Sequence, residues 1–139
     1  MDRQHNAALA AFTGSETLLS TALLELGLAK RSLVWSRSLA GPSIGAFILF
    51  SVAFGATFFG SGPKPFHWGG LLLGAGSVLA TLVFWGIARW RMGRASALAR
   101  KMPETAPALN DEDVLRSLSA GANDDAAFLA RAILRSRAA

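Results

Sequence analysis

Between Ser38 and Pro63 the chain runs for 26 residues without an Asp, Glu, Lys or Arg, and between Pro65 and Ala88 for another 24, with Lys64 alone between them. A helix of 24 residues rises about 36 Å, which exceeds the roughly 30 Å hydrocarbon core of a bilayer. Core helices of soluble proteins seldom run that far uncharged. Composition points the same way: 17% of the 139 residues are charged and 52% hydrophobic, against about 25% charged in an average soluble domain. The length allows one domain. Gly60, Ser61, Gly62, Pro63, Lys64 and Pro65 form a helix-breaking cluster, because proline lacks an amide donor and disfavours helix in the residue before it. The pattern predicts a tight hairpin, with transmembrane helices at 39–60 and 68–90 and a short non-cytoplasmic loop at 61–67.

Basic residues set the orientation. Lys30, Arg31 and Arg37 precede the first span, Arg89, Arg91, Arg94, Arg100 and Lys101 follow the second, and the loop holds only Lys64. The positive-inside rule then places both termini in the cytoplasm. Trp35, Trp68, Trp85 and Trp90 lie at the edges of the uncharged runs, where indole rings favour the headgroup layer over ordinary core packing. With Arg89, Arg91 and Arg94 they are the expected membrane-interface anchors. A cleaved signal peptide fits poorly, since the apolar stretch starts near residue 39 and is too long for an h-region. The start of the chain is expected to persist.

Small residues mark candidate helix-packing faces. Gly41 and Gly45 form a GxxxG pair with Gly55 near the same azimuth, and Phe47, Phe50, Phe54 and Phe58 run along a roughly opposite line. In the second span Gly70, Gly74, Ser77, Thr81 and Ala88 recur at helical intervals, and Gly70 and Gly74 are again GxxxG. In lipid, close van der Waals contact at small residues drives helix association. These faces can pack the hairpin on itself, pair it with further copies or a partner, or both. Ser43, Ser51, Thr57, Ser77 and Thr81 are expected to bond back to a carbonyl one turn earlier. With no Asp, Glu, Lys or Arg inside either span, a proton relay or ion pathway built from this chain alone is disfavoured.

The N-terminal segment is of another kind. Residues 1–14 are expected to be flexible. Thr13 and Glu16 have the spacing of a capping box, with Thr13 as N-cap and Glu16 three positions on, and a leucine-rich helix over 15–38 should follow. Its amphipathicity is imperfect, and Glu25, Lys30, Arg31 and Arg37 keep it from spanning. It should lie on the inner membrane surface, pack against another helix, or remain solvated. Past the second span, 91–102 reads as a basic cytoplasmic helical extension, either setting topology or attracting anionic lipid. Pro103 and Pro107 predict a linker over 103–110. A helical pair over 111–139 should follow, capped at Asn110 and Asn123, with Asp111, Glu112, Asp113, Asp124 and Asp125 near the helix starts and Arg131, Arg135 and Arg137 near the last end. Val114, Leu115, Leu118, Phe128, Leu129, Ile133 and Leu134 make too small a core for the pair to stand alone. It should dock on its own membrane-proximal helices, another copy or a partner.

Catalytic chemistry finds little to build on. With no cysteine there is no disulfide framework, thiolate zinc site or thiol nucleophile. His5 and His67 are the two histidines, and neither has a carboxylate or second histidine at ligand spacing. Gly69, Gly70, Gly74 and Gly76 form no phosphate cradle, since no lysine follows them and they fall in the second apolar run. The tail's acidic residues oppose nucleic-acid binding. The expectation is a non-enzyme with no metal, cofactor, nucleic acid or small-molecule substrate.

Leu23 to Lys30 leading into a first span, the short Pro-containing turn, the second span and the basic exit Arg89-Trp90-Arg91 resemble small two-span bacterial membrane proteins grouped as phage-holin-like. The likeness covers about residues 18–94 and is architectural. The overall expectation is an all-α membrane protein: a two-helix transmembrane hairpin with an N-terminal amphipathic helix and a C-terminal cytoplasmic helical pair, in a bacterial inner membrane. Its partners would be the lipid bilayer and other membrane subunits or copies of itself. Function divides between a non-catalytic accessory or scaffold subunit of a larger membrane complex and a self-assembling holin-like permeabilising protein.

Overall fold

The computed structural model describes residues 8–58 and 65–139, with side chains described for 8–52 and 72–139. Among these residues the chain is all-helical. Two long helices, α1 (Glu16–Phe58) and α2 (Pro65–Lys101), are followed by 3-10 turns at Met102–Glu104 and Pro107–Asn110 and by the shorter α3 (Glu112–Ser119) and α4 (Asp124–Ala138). Both long helices are long and apolar enough to cross a membrane, and only 11% of each apolar window is buried. That low burial separates them from the core helices of a soluble protein.

The expected division into a separate helix over 15–38 and a span over 39–60 is corrected: α1 runs through 43 residues without a break, with Pro42 inside it. Proline removes one backbone hydrogen bond, and the helix continues through it. Likewise α2 joins 68–90 and 91–102 in one element and begins at Pro65, so residues 65–67 of the expected loop are helical. Residues 59–64, which hold the rest of the turn, and residues 1–7 lie outside the described residues.

The helices divide into two compact units, one of residues 1–29 and 90–139 and the other of residues 30–89. The first has a closed core of Phe12, Leu26, Met102, Leu109, Leu115, Leu129 and Ile133, set among Ala22, Ala95, Ala99, Ala106, Ala126 and Ala130. Alanines let the helices approach closely and let larger side chains interdigitate between them. The tail pair therefore docks on the chain's own long helices, one of the three outcomes left open by the sequence. The 103–110 stretch, expected as a linker, is part of this core: Met102, Ala106 and Leu109 are fully buried. Pro103 and Pro107 fall at the second and first positions of their 3-10 turns, where an amide has no partner within the turn to lose.

The N-terminus also differs from expectation. Phe12 is fully buried, and Ala8 and Ala11 pack against the same core. Thr13 does not cap α1. Its hydroxyl donates to the Ala10 carbonyl at 2.6 Å, and the helix starts after Ser15, whose carbonyl accepts from the Leu19 amide at 2.8 Å. Gly14 carries a φ of +100°, and a Cβ there would collide with the Thr105 carbonyl oxygen. Only glycine combines that conformation with that approach. At α3 the cap is Asp111 rather than Asn110, accepting from the Asp113 amide at 2.9 Å. Asn123 caps α4, accepting from the Asp125 and Ala126 amides. Arg137 donates to the carbonyls of Leu109 (2.9 Å) and Asn110 (3.1 Å), tying the end of α4 to the second 3-10 turn.

Candidate functional site

The most buried charge of the first unit is Glu25, where 9% of the side chain is exposed. It is the last acidic residue before Glu104. An isolated carboxylate in such surroundings would be costly, and two arginines answer it. Arg91 donates to Oε2 at 2.9 Å and Arg94 lies 3.3 Å from Oε1. Arg91 and Arg94 are three apart on α2, so one helix face presents both. Arg94 also stacks over the Trp90 ring at 5.1 Å, and Arg89 over Trp85 at 5.5 Å. Both stacks are i,i+4 pairs, which helix geometry brings together.

This changes the reading of the expected anchors. Arg91 and Arg94 are ion-paired within the protein instead of being spare positive charges, and the segment around Ala22, Glu25 and Leu26 packs into a core rather than lying on a surface. Trp35, Trp85 and Trp90 are 60%, 49% and 59% exposed. The Trp68 side chain lies outside the described residues.

In the second unit the helices meet antiparallel through small and hydroxyl residues. The Ser36 hydroxyl donates to the Thr81 carbonyl at 3.3 Å, and the Ser43 and Thr81 hydroxyls lie 3.2 Å apart. Ser43, Ser51 and Thr81 also bond back to Leu39, Phe47 and Ser77 at 2.6, 2.9 and 2.9 Å. Gly74 is the close-approach glycine: a Cβ added there would lie 3.8 Å from the Ala46 backbone. Ser77 is half-buried on the same side. Gly41 and Gly45 are not part of this contact: a Cβ added at either would meet nothing within 4 Å outside its own stretch of helix. The side-chain environments of Gly55 and Gly70 lie outside the described residues.

Sequence reasoning missed Glu25 as the organising acid, along with Phe12, Gly14 and Ser36. A usable signal existed for the stacked pairs, since Trp85 with Arg89 and Trp90 with Arg94 repeat a Trp-x-x-x-Arg spacing. Among the described residues, no group of three or more His, Asp or Glu could hold a metal ion. The polar groups are arranged to tie helices together and to neutralise one another. No protein-family profile, curated protein or solved structure matches the chain.

Proposed function

We propose that the chain is an integral membrane protein acting as a non-catalytic accessory or scaffold subunit. In this reading residues 30–89 occupy a bacterial inner membrane and both termini lie in the cytoplasm. The observation that carries it is the outward display of large apolar side chains in that unit: Leu49, Leu72 and Leu73 are 72%, 70% and 70% exposed. Water would not tolerate a continuous surface of this kind, whereas lipid would. The folded unit of residues 1–29 and 90–139 offers charged faces for a larger membrane complex, with most of its large apolar residues inside and Leu24 and Trp90 exposed. Non-catalytic action agrees with polar groups committed to helix caps, back-bonds and the Glu25 ion pairs.

Mild-detergent purification with mass measurement of the intact assembly tests this. The expected result is stoichiometric co-purification of a second membrane protein, together with inactivity of a periplasm-dependent reporter fused after Ala139. Reporter activity would reverse the orientation.

A holin-like, self-assembling permeabilising protein is the second reading, favoured by the open Gly41 and Gly45 face. Inducible expression separates the two. An abrupt loss of membrane potential would favour permeabilisation, and harmless expression would favour the scaffold.

A further inference from the structure

Between α1 and α2 of the second unit lies an open furrow of about 330 Å³. Phe47 and Phe50 line it from α1, and Ala75, Val78, Leu79 and Leu82 from α2. Gly74, where α2 comes closest to Ala46, forms its floor. The wall does not stop at Leu82. Ala75, Leu82 and Arg89 follow one another at seven-residue steps, about 20° short of two helical turns, so they share a face of α2. Trp85, seven residues after Val78, continues the same face and carries the Arg89 guanidinium over its ring.

On α1, Arg37 follows Ser36, whose hydroxyl reaches the Thr81 carbonyl, so Arg37 stands near the Leu82 end of the furrow. At 100° per residue it falls on the same side of the Ser43 contact line as Phe47. Arg37 and Arg89 are both exposed, and neither has a carboxylate partner among the described residues. No acidic residue occurs anywhere between Glu25 and Glu104. The contrast with Arg91 and Arg94 is direct, because Glu25 already neutralises those two.

An apolar trough that leads along one helix face to a pair of unneutralised guanidiniums is complementary to a molecule with an apolar chain and an anionic head. Arg89 lies about 10 Å of helix rise from Leu82 and about 22 Å from Gly74, and a leaflet is about 15 Å of hydrocarbon deep. The Leu82 end of the furrow thus lies at a depth that the chain of a lipid with its head at Arg89 would reach. We propose that this furrow seats an acyl chain of an anionic phospholipid whose phosphate lies between the levels of Arg89 and Arg37, each guanidinium reaching toward it along its helix. The proposal rests on the membrane reading above.

The test uses the full chain purified in detergent and equilibrated with equal amounts of phosphatidylglycerol and phosphatidylcholine, with retained lipids counted by native mass spectrometry. Flotation with pure phosphatidylcholine vesicles runs in parallel. The expected result is flotation, with phosphatidylglycerol retained about tenfold over phosphatidylcholine. The preference should vanish in the Arg37→Gln, Arg89→Gln double variant and persist in Arg100→Gln, Lys101→Gln, which loses the same charge. Filling the furrow by Ala75→Phe, or by Leu79→Trp at a position 63% exposed, should lower retention while helix content stays constant. Flotation without lipid preference, a preference surviving the double variant, equal loss in the Arg100, Lys101 control, or unchanged retention in both filled variants each overturns the lipid site and leaves the membrane reading standing. Failure to float overturns both.

Discussion

The first unit buries most of its leucines wholly or in part, and the second turns most of its leucines outward. Leu129, in the first unit, is fully buried, and Leu26 is 4% exposed. In the second, Leu49, Leu72, Leu73 and Leu79 stand outward. The first unit is held as a water-soluble bundle is, by apolar burial with capped helix ends. The second is held by what little polar and small-residue contact its helices share: Ser36, Ser43 and Thr81 with Gly74 against Ala46. On the membrane reading, burying a leucine between these helices gains nothing over leaving it in oil, so close backbone approach and hydroxyl contacts would carry the association. Neighbouring segments of one helix thus obey opposite rules, and mutations should read out the difference.

The largest effect is expected from Leu129→Ala, which empties space in a closed core and should cost about 2–5 kcal/mol. Leu79→Ala, the same change on an outward position, should cost under about 0.5 kcal/mol in a bilayer or micelle. Denaturation followed by circular dichroism measures both, and similar losses in the two variants would break the comparison. Gly14→Ala comes next. It forces an alanine into a positive φ and against the Thr105 carbonyl, a strain of about 1–3 kcal/mol, visible as a lowered thermal midpoint.

Glu25→Gln leaves Arg91 and Arg94 without their counter-charge. Since Arg94 is 53% exposed and Arg91 27%, water offsets part of the loss, and about 1–2 kcal/mol is expected. A double-mutant cycle with Arg91→Gln should show that the two changes are not additive. The smallest effect is Thr81→Val, which removes the hydroxyl contact with Ser43 and should weaken the second unit by about 0.6 kcal/mol. Unfolding in a mild detergent and sodium dodecyl sulfate mixture resolves a difference of that size.

What could be read from the sequence was what depends on nearby residues. The two long apolar helices, the back-bonds of Ser43, Ser51 and Thr81 and the Asn123 cap are local or periodic, and the structure contains each of them. The core of the first unit was hidden because it is made largely of alanine. A count of Leu, Ile, Val and Phe in the tail finds seven members and overlooks Ala95, Ala99, Ala126 and Ala130, which bring the helices together. Pro103 and Pro107 carry the composition of a linker, yet Met102, Ala106 and Leu109 recur on one side of the turns and face inward. Glu25 meets Arg91 across 66 residues, and no window of local sequence contains such a pair. At the candidate lipid site, the heptad from Ala75 through Leu82 to Arg89 was visible in principle. The furrow appears only once Ser36, Ser43 and Thr81 fix how the helices face each other.

The core that joins Phe12 and Leu26 to Leu129 and Ile133 has a consequence for biosynthesis. Its first members leave the ribosome more than a hundred residues before its last ones. The intervening hairpin closes over contacts much nearer in sequence, and contacts close in sequence form sooner. On the membrane reading proposed above, the apolar helix pair would enter the bilayer while the bundle still lacks its final helix. The core around Phe12 and Leu26 closes fully only once Leu129 and Ile133 have been made.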